Sequence, residues 1–96
     1  MAIHKTLDID GAPADGYVVP LGTCNLVFIC KGNSLLACGA VDIEALNAFH
    51  VPAASMSGVA TLDDLLAGEV RKVNAAAAAL GVAAGQTGRE ALKKLG

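Results

Sequence analysis

The sequence predicts an α+β fold: a mixed, mainly antiparallel sheet of about six strands with helices packed on one face. Three observations lead there. Residues 3–9, "IHKTLDI", alternate apolar and polar, as a half-exposed strand does. The segments "NLVFIC" and "LLACGAV", either side of "KGNS", run apolar without alternation, the pattern of strands covered on both faces. From Asp42 onward, capping residues repeatedly precede short apolar stripes, which are helix starts.

The elements follow in order. After 3–9, "DGAPADG" brackets Pro13 with two Asp-Gly steps and predicts a turn or short loop. "YVVP" is a short strand stopped by Pro20, whose missing N–H suits a strand end. Gly32 and Asn33 then serve as a two-residue hairpin loop, so that Lys31 faces Ser34, Cys30 faces Leu35 and Cys38 faces Val27. Asp42 caps a helix "IEALNAFH", with Ile43, Leu46 and Phe49 or Ala45 and Ala48 along one stripe. "VPAASM" is the next strand. "TLDDLLAG" is a helix with a Thr61-to-Asp64 capping spacing and Gly68 as its stop. "EVRKV" reads as a short edge strand. Asn74 caps the run "AAAAAL", which Gly81 ends, and Thr87 and Glu90 form a capping box for "GREALKKL". The leading strands should meander antiparallel, and the later β-α-β steps should be right-handed crossovers with both helices on the same face.

Composition narrows the function classes. Ninety-six residues predict one domain, 1–96, which buries about 60 to 65% of the surface its unfolded chain exposes. Its apolar fraction is 54% and its charged fraction 17%, so there is more apolar surface than a small monomer easily hides. Aromatic residues are only 3%, the net charge is -2 and there is no basic run, which argues against nucleic acid. The start "MAIHKTLDID" lacks a signal-peptide core, and no stretch approaches the ~20 apolar residues of a membrane span. With three cysteines and no even disulfide framework, the expectation is a cytoplasmic protein that does not engage membranes.

The pieces "CGAVDIEAL", "SGVATLDDLLAGEV" and "TGREALKKL", within a pattern running from about Ile9 to Leu95, resemble the YunC-like family of small bacterial and archaeal proteins, a domain of unknown function. Ala40 stands where that family often has an aromatic, and "AFH" where a Leu-Gly ending is more usual. The resemblance implies a compact α+β fold and brings no activity with it.

Chemistry concentrates at three strand-to-helix turns. Cys38 and Cys30 are no pair, because three rungs of strand put them about 10 Å apart, beyond the ~7 Å a disulfide spans. Cys24 and Cys30 share a face but lie about 20 Å apart. Cys38 alone has two readings: a buried small apolar residue, which is preferred, or a nucleophile or redox thiol activated by the helix start at Asp42. The turns at Cys38 to Asp42, Ser57 to Thr61 and Thr87 to Arg89 are the candidate ligand sites, with Gly39, Asp42, Ser57, Gly58, Thr61, Thr87, Gly88 and Arg89 as candidate binding residues. Their backbone N–H groups suit a small anionic ligand. Asp63, Asp64 and Glu90 oppose that reading at the second and third turns.

No metal site is expected. "DIDGAPADG" has Pro13 and Val19 where a calcium loop needs Gly and Glu, and His4 and His50 are isolated. No cofactor is expected either. One face of the central hairpin, with Leu26 or Val27 and Leu35 or Leu36, still needs cover, so the chain is expected to partner itself as a homodimer or homotrimer. The functional expectation is a homo-oligomeric small-molecule binding or assembly module. Its alternative is a small enzyme with an intersubunit active site using Cys38.

Overall fold

A computed structural model describes residues 3–96 of the chain. Six strands form one sheet in sequence order: β1 (Ile3–Ile9), β2 (Ala12–Leu21), β3 (Cys24–Lys31), β4 (Ser34–Cys38), β5 (Ala53–Met56) and β6 (Lys72–Val73). Every neighbouring pair is antiparallel except β4 and β5. The helices are α1 (Ile43–Asn47), α2 (Leu62–Ala67), α3 (Ala75–Ala78) and α4 (Gly88–Lys94). The α+β class and the mixed, mainly antiparallel sheet are as predicted.

Local chemistry places most of the turns. Asp10 and Gly11 connect β1 to β2 with φ of 55° and 90°, the two left-handed residues of a tight hairpin turn. Lys31 pairs with Ser34 and Cys30 with Leu35, the predicted register about Gly32 and Asn33. Asp42, Thr61, Asn74 and Thr87 each accept from the first-turn N–H groups of the helices they precede.

Two expectations need correction. The stretch "DGAPADG" is not a loop beyond its first two residues, since β2 runs unbroken from Ala12 through Pro20 to Leu21. The reason is packing: Ala14 and Gly16 are buried, and Gly16 leaves room for Leu62 of α2, whose methyls would lie 2.8 Å from an added Cβ. Pairing and burial thus override the turn propensity of the second Asp-Gly step. The path from β5 through α2 to β6 also returns antiparallel, which leaves one parallel crossover where two were expected.

The core lies between the sheet and α2 and α4. Val27, Ile29, Leu36, Cys38 and Met56 meet Leu62, Leu65, Ala91, Leu92 and Leu95 there. Full burial of one such side chain is worth about 1.5 to 3 kcal/mol. Gly88 is buried where an added Cβ would collide with the carbonyl oxygen of Leu65, so its bare Cα sets how closely α4 approaches α2. Lys31 Nζ donates to the carbonyls of Leu92 and Leu95 at 2.6 and 2.7 Å, tying the β3–β4 hairpin to the end of α4.

The opposite sheet face is unevenly covered. Side chains alternate along a strand, so Ala37, Ala53 and Ser55 point away from the core that Leu36, Ala54 and Met56 join. All three are buried, as is Ile43 of α1, which stands outside the main cluster. Ile43 thus sets α1 over the β4–β5 end of this second face, apart from α2 and α4, so the crossover helices α1 and α2 do not share a face as expected: the small Ala37, Ala53 and Ser55 give α1 its own seat. No helix among the described residues is long and apolar enough to cross a membrane.

Candidate functional site

A cleft of about 470 Å³ opens at the β4–α1 turn, lined by Gly39 through Glu44, by Ser55, Met56 and Ser57, and by Arg71 and Lys72. Its position follows from topology. Where two parallel strands end side by side, their carboxyl ends diverge into separate connections and leave a crevice. Here Cys38 and Met56 are the paired last residues of β4 and β5, and the cleft takes in Gly39 just after β4 and Ser55, Met56 and Ser57 at the end of β5.

The antiparallel return of β6 supplies what the sequence alone did not. It sets Lys72 directly opposite Ser55, and Arg71 N–H donates to the Ser55 carbonyl at 2.9 Å. Both Arg71 and Lys72 are exposed, and neither joins an ion pair among the described residues. Ser55 is 4% exposed, and its hydroxyl has no hydrogen-bond partner among the described side chains. No buried side-chain oxygen or nitrogen among the described residues lacks a partner, so the Ser55 hydroxyl reaches the solvent of the cleft.

The carboxylates in the lining differ in duty. Asp42 Oδ1 accepts from Glu44 N–H at 3.0 Å and Ala45 N–H at 3.3 Å, so its charge serves the first turn of α1. Glu44 is exposed on the rim. The cations face a wall in which one of the two acids is already engaged.

Of the sequence-predicted residues, the structure gathers Gly39, Asp42 and Ser57 at this cleft. Cys38 adjoins it in sequence yet is only 5% exposed, and its sulfur accepts from Val27 N–H at 3.4 Å, inside the core. Gly58 has open space where a Cβ would stand and is absent from the cleft wall. Thr61 caps α2 and borders a second, more open cavity of about 300 Å³ with Ile3, Leu7 and Leu62.

Thr87, Gly88 and Arg89 are elsewhere, and their local chemistry is already spent. Thr87 N–H donates to Glu90 Oε1 at 3.0 Å and Glu90 N–H donates to Thr87 Oγ1 at 3.1 Å, while Gly88 packs on α2. The Thr87 backbone N–H, then its hydroxyl, hold the Glu90 carboxyl below the usual carboxylate range, with Lys93 and Lys94 adding to the effect. Of the three turns that looked alike in sequence, the first and the Ser57 end of the second therefore meet at one cleft, Thr61 borders another cavity, and the third is a closed cap. Among the described residues no group of three or more His, Cys, Asp or Glu side chains is placed to hold a metal ion.

A family profile described as a domain of unknown function, DUF1805, matches residues 37–95. The chain is also 34% identical over 91 residues to "Uncharacterized protein YunC" of Bacillus subtilis (strain 168), covering 91% of this chain and 90% of that one. Among solved structures, it is similar to the crystal structure of a protein of unknown function, TA1206, from Thermoplasma acidophilum. That match has a TM-score of 0.94 at 29% identity and covers 100% of this chain and 94% of the other.

Proposed function

The chain belongs to the DUF1805 family, and from that footing we propose that it is a homo-oligomeric module that binds a small anionic ligand in the cleft between β5, β6 and the β4–α1 turn. The observation that carries the reading is the Ser55 hydroxyl on the cleft wall, flanked across the sheet by Lys72 and next to Arg71, two cations without an ion-pair partner among the described residues. An oxyanion accepts a hydrogen bond from that hydroxyl while Lys72 and Arg71 meet its charge; Arg adds a planar fork suited to carboxylate or phosphate. Gly39 and Ser57, at the two strand ends, complete the wall.

Self-association is supported by the half-buried apolar side chains on the sheet face that α1 leaves open, including Tyr17, Phe28 and Leu35. A cytoplasmic setting is part of the same reading and accords with three free thiols. The enzyme alternative draws no support from Cys38, whose thiol is enclosed by the core rather than presented to the cleft.

The test is an amide-resolved NMR titration with inorganic phosphate, sulfate and acetate. Shifts are expected at Gly39, Ser55, Ser57 and Lys72, and Ser55→Ala or Lys72→Ala should weaken the affinity by roughly tenfold, about 1.4 kcal/mol. No shifts at millimolar anion, or shifts that both variants leave unchanged, would defeat the reading.

A further inference from the structure

On the second face of the sheet, His4, Tyr17, Phe28, Ala37, Ser55 and Lys72 are rung partners across all six strands. Over its β1–β3 part the row is a stack of rings: His4 and Tyr17 have centroids 4.8 Å apart, and Tyr17 and Phe28 5.0 Å. Its other end is the cleft, where Ser55 and Lys72 project from the same face as cross-strand neighbours, about 5 Å apart at Cβ. Arg71, the residue before Lys72, lines the same cleft. The cleft is thus two-sided. Positive charge comes from the β6 side alone, while exposed Ala40 and half-buried Val41 of the β4–α1 turn, backed by Ile43 and Met56, bring apolar surface.

We infer that the ligand of this cleft is a short aliphatic monocarboxylate, its head on Ser55, Lys72 and Arg71 and its chain against Ala40 and Val41, and that Glu44 turns away ligands with a second negative charge. The inference rests on the anion site of the proposed function and names the class of ligand that site takes. Size permits it. The volume of about 470 Å³ falls within the ~300 to 1,000 Å³ of small-molecule sites, which hold an apolar body by contact and orient it by a few polar groups.

The donors on the wall favour carboxylate over phosphate. A phosphate at a strand-to-helix turn is ordinarily cradled by free backbone N–H groups. Here the Val41 N–H donates to the Cys38 carbonyl at 3.2 Å, and the Glu44 and Ala45 N–H groups donate to Asp42. The side-chain donors are a hydroxyl, an ammonium and a planar guanidinium, whose fork matches the two oxygens of a carboxylate. The far end selects as well. Asp42 and Glu44 belong to the turn side, so a dicarboxylate would bring its second charge toward two like charges and against the apolar Val41. A methyl end meets neither cost.

The experiment is an amide-resolved NMR titration of the full chain at neutral pH with acetate, butanoate, pentanoate, glutarate and inorganic phosphate. From acetate to pentanoate the affinity should rise roughly two- to fourfold with each methylene, with shifts at Gly39, Val41 and Ser55. Glutarate should bind about fivefold more weakly than pentanoate, and Glu44→Gln should narrow that gap. Val41→Ser should flatten the chain-length series. Affinity independent of chain length, phosphate bound more tightly than butanoate, glutarate equal to pentanoate, or pentanoate shifts centred on Leu7 and Leu62 of the second cavity would each overturn the aliphatic monocarboxylate and leave the anion site standing. No shifts with any of the five would overturn both.

Discussion

Asn74 and Ala53 are joined twice: the Ala53 N–H donates to Asn74 Oδ1 at 3.0 Å, and the Asn74 N–H donates to the Ala53 carbonyl at 3.0 Å. The same side chain caps α3 through Ala77 N–H and donates from Nδ2 to the carbonyls of Ile43 and Val51. One buried amide thus holds β5, α3 and the start of α1. Asn74→Ala removes the cap and leaves the Ala53 N–H without a partner, for a loss of about 3 kcal/mol. In a thermal melt that is a fall of roughly 12 to 24 °C for a domain of this size. A fall of only a degree or two would mean that the network is not rigid.

Gly88 and Gly58 look equivalent in sequence and should not behave alike. Gly88→Ala drives a methyl into the Leu65 carbonyl and parts α4 from α2, at a cost of about 3 kcal/mol. Gly58→Ala meets open space and pays only for its left-handed backbone, φ 76°, about 1 kcal/mol. Chemical denaturation of the two variants gives the ranking, and a reversed order would contradict the packing of α2 on α4.

His50 sits at φ 59° after α1, a conformation natural to glycine. Phe49 N–H donates to the Leu46 carbonyl and His50 N–H to the Asn47 carbonyl, so α1 stops at Asn47 and the predicted helix through residue 50 is cut short. His50→Gly should raise stability by about 1 kcal/mol, by relief of the side chain's strain. Unchanged or lowered stability in urea would show that the turn is not strained.

The acid limb of stability should carry a contribution from Glu90. Its folded carboxyl sits below its ordinary range, so the stabilisation is present above the unfolded value and is lost as pH falls through the folded value. Glu90→Gln should flatten the pH dependence in that window, lowering stability at neutral pH and converging with wild type at acid pH. Direct titration of the carboxyl by NMR checks the direction, and an elevated value would refute the capping account.

Thiol labelling should proceed in order of burial. Cys24 is exposed, Cys30 half-buried and Cys38 buried. Burial, and secondarily the Asp15 carboxylate, push the Cys30 thiol above its ordinary value, keeping it protonated at neutral pH. Iodoacetamide should modify Cys24 first, Cys30 slowly and Cys38 only on unfolding, and Asp15→Asn should quicken Cys30 at alkaline pH. Prompt labelling of Cys38 in the folded protein would restore the enzyme alternative.

Much of this fold was legible because its punctuation is local. Asp42, Thr61, Asn74 and the Thr87–Glu90 pair state their capping roles within three residues, and Gly32–Asn33 fixes the hairpin register by itself. What escaped depends on distant partners. The second Asp-Gly step reads as a turn until Leu62, 46 positions after Gly16, needs the space above it. The cleft was legible by half: Gly39, Asp42 and Ser57 border strand ends that any parallel pair brings together. Ser55, Arg71 and Lys72 join them only through the antiparallel return of β6, which two residues of strand do not announce.

The ring stack also has a spectroscopic consequence. Tyr17 is the sole tyrosine in a chain without tryptophan, so the near-ultraviolet emission of the protein originates at one point, between the imidazole of His4 and the ring of Phe28. Quenching, anisotropy and lifetime measured on the unmodified molecule all report that single location. The sequence has built its own probe into a row of half-buried rings across β1, β2 and β3.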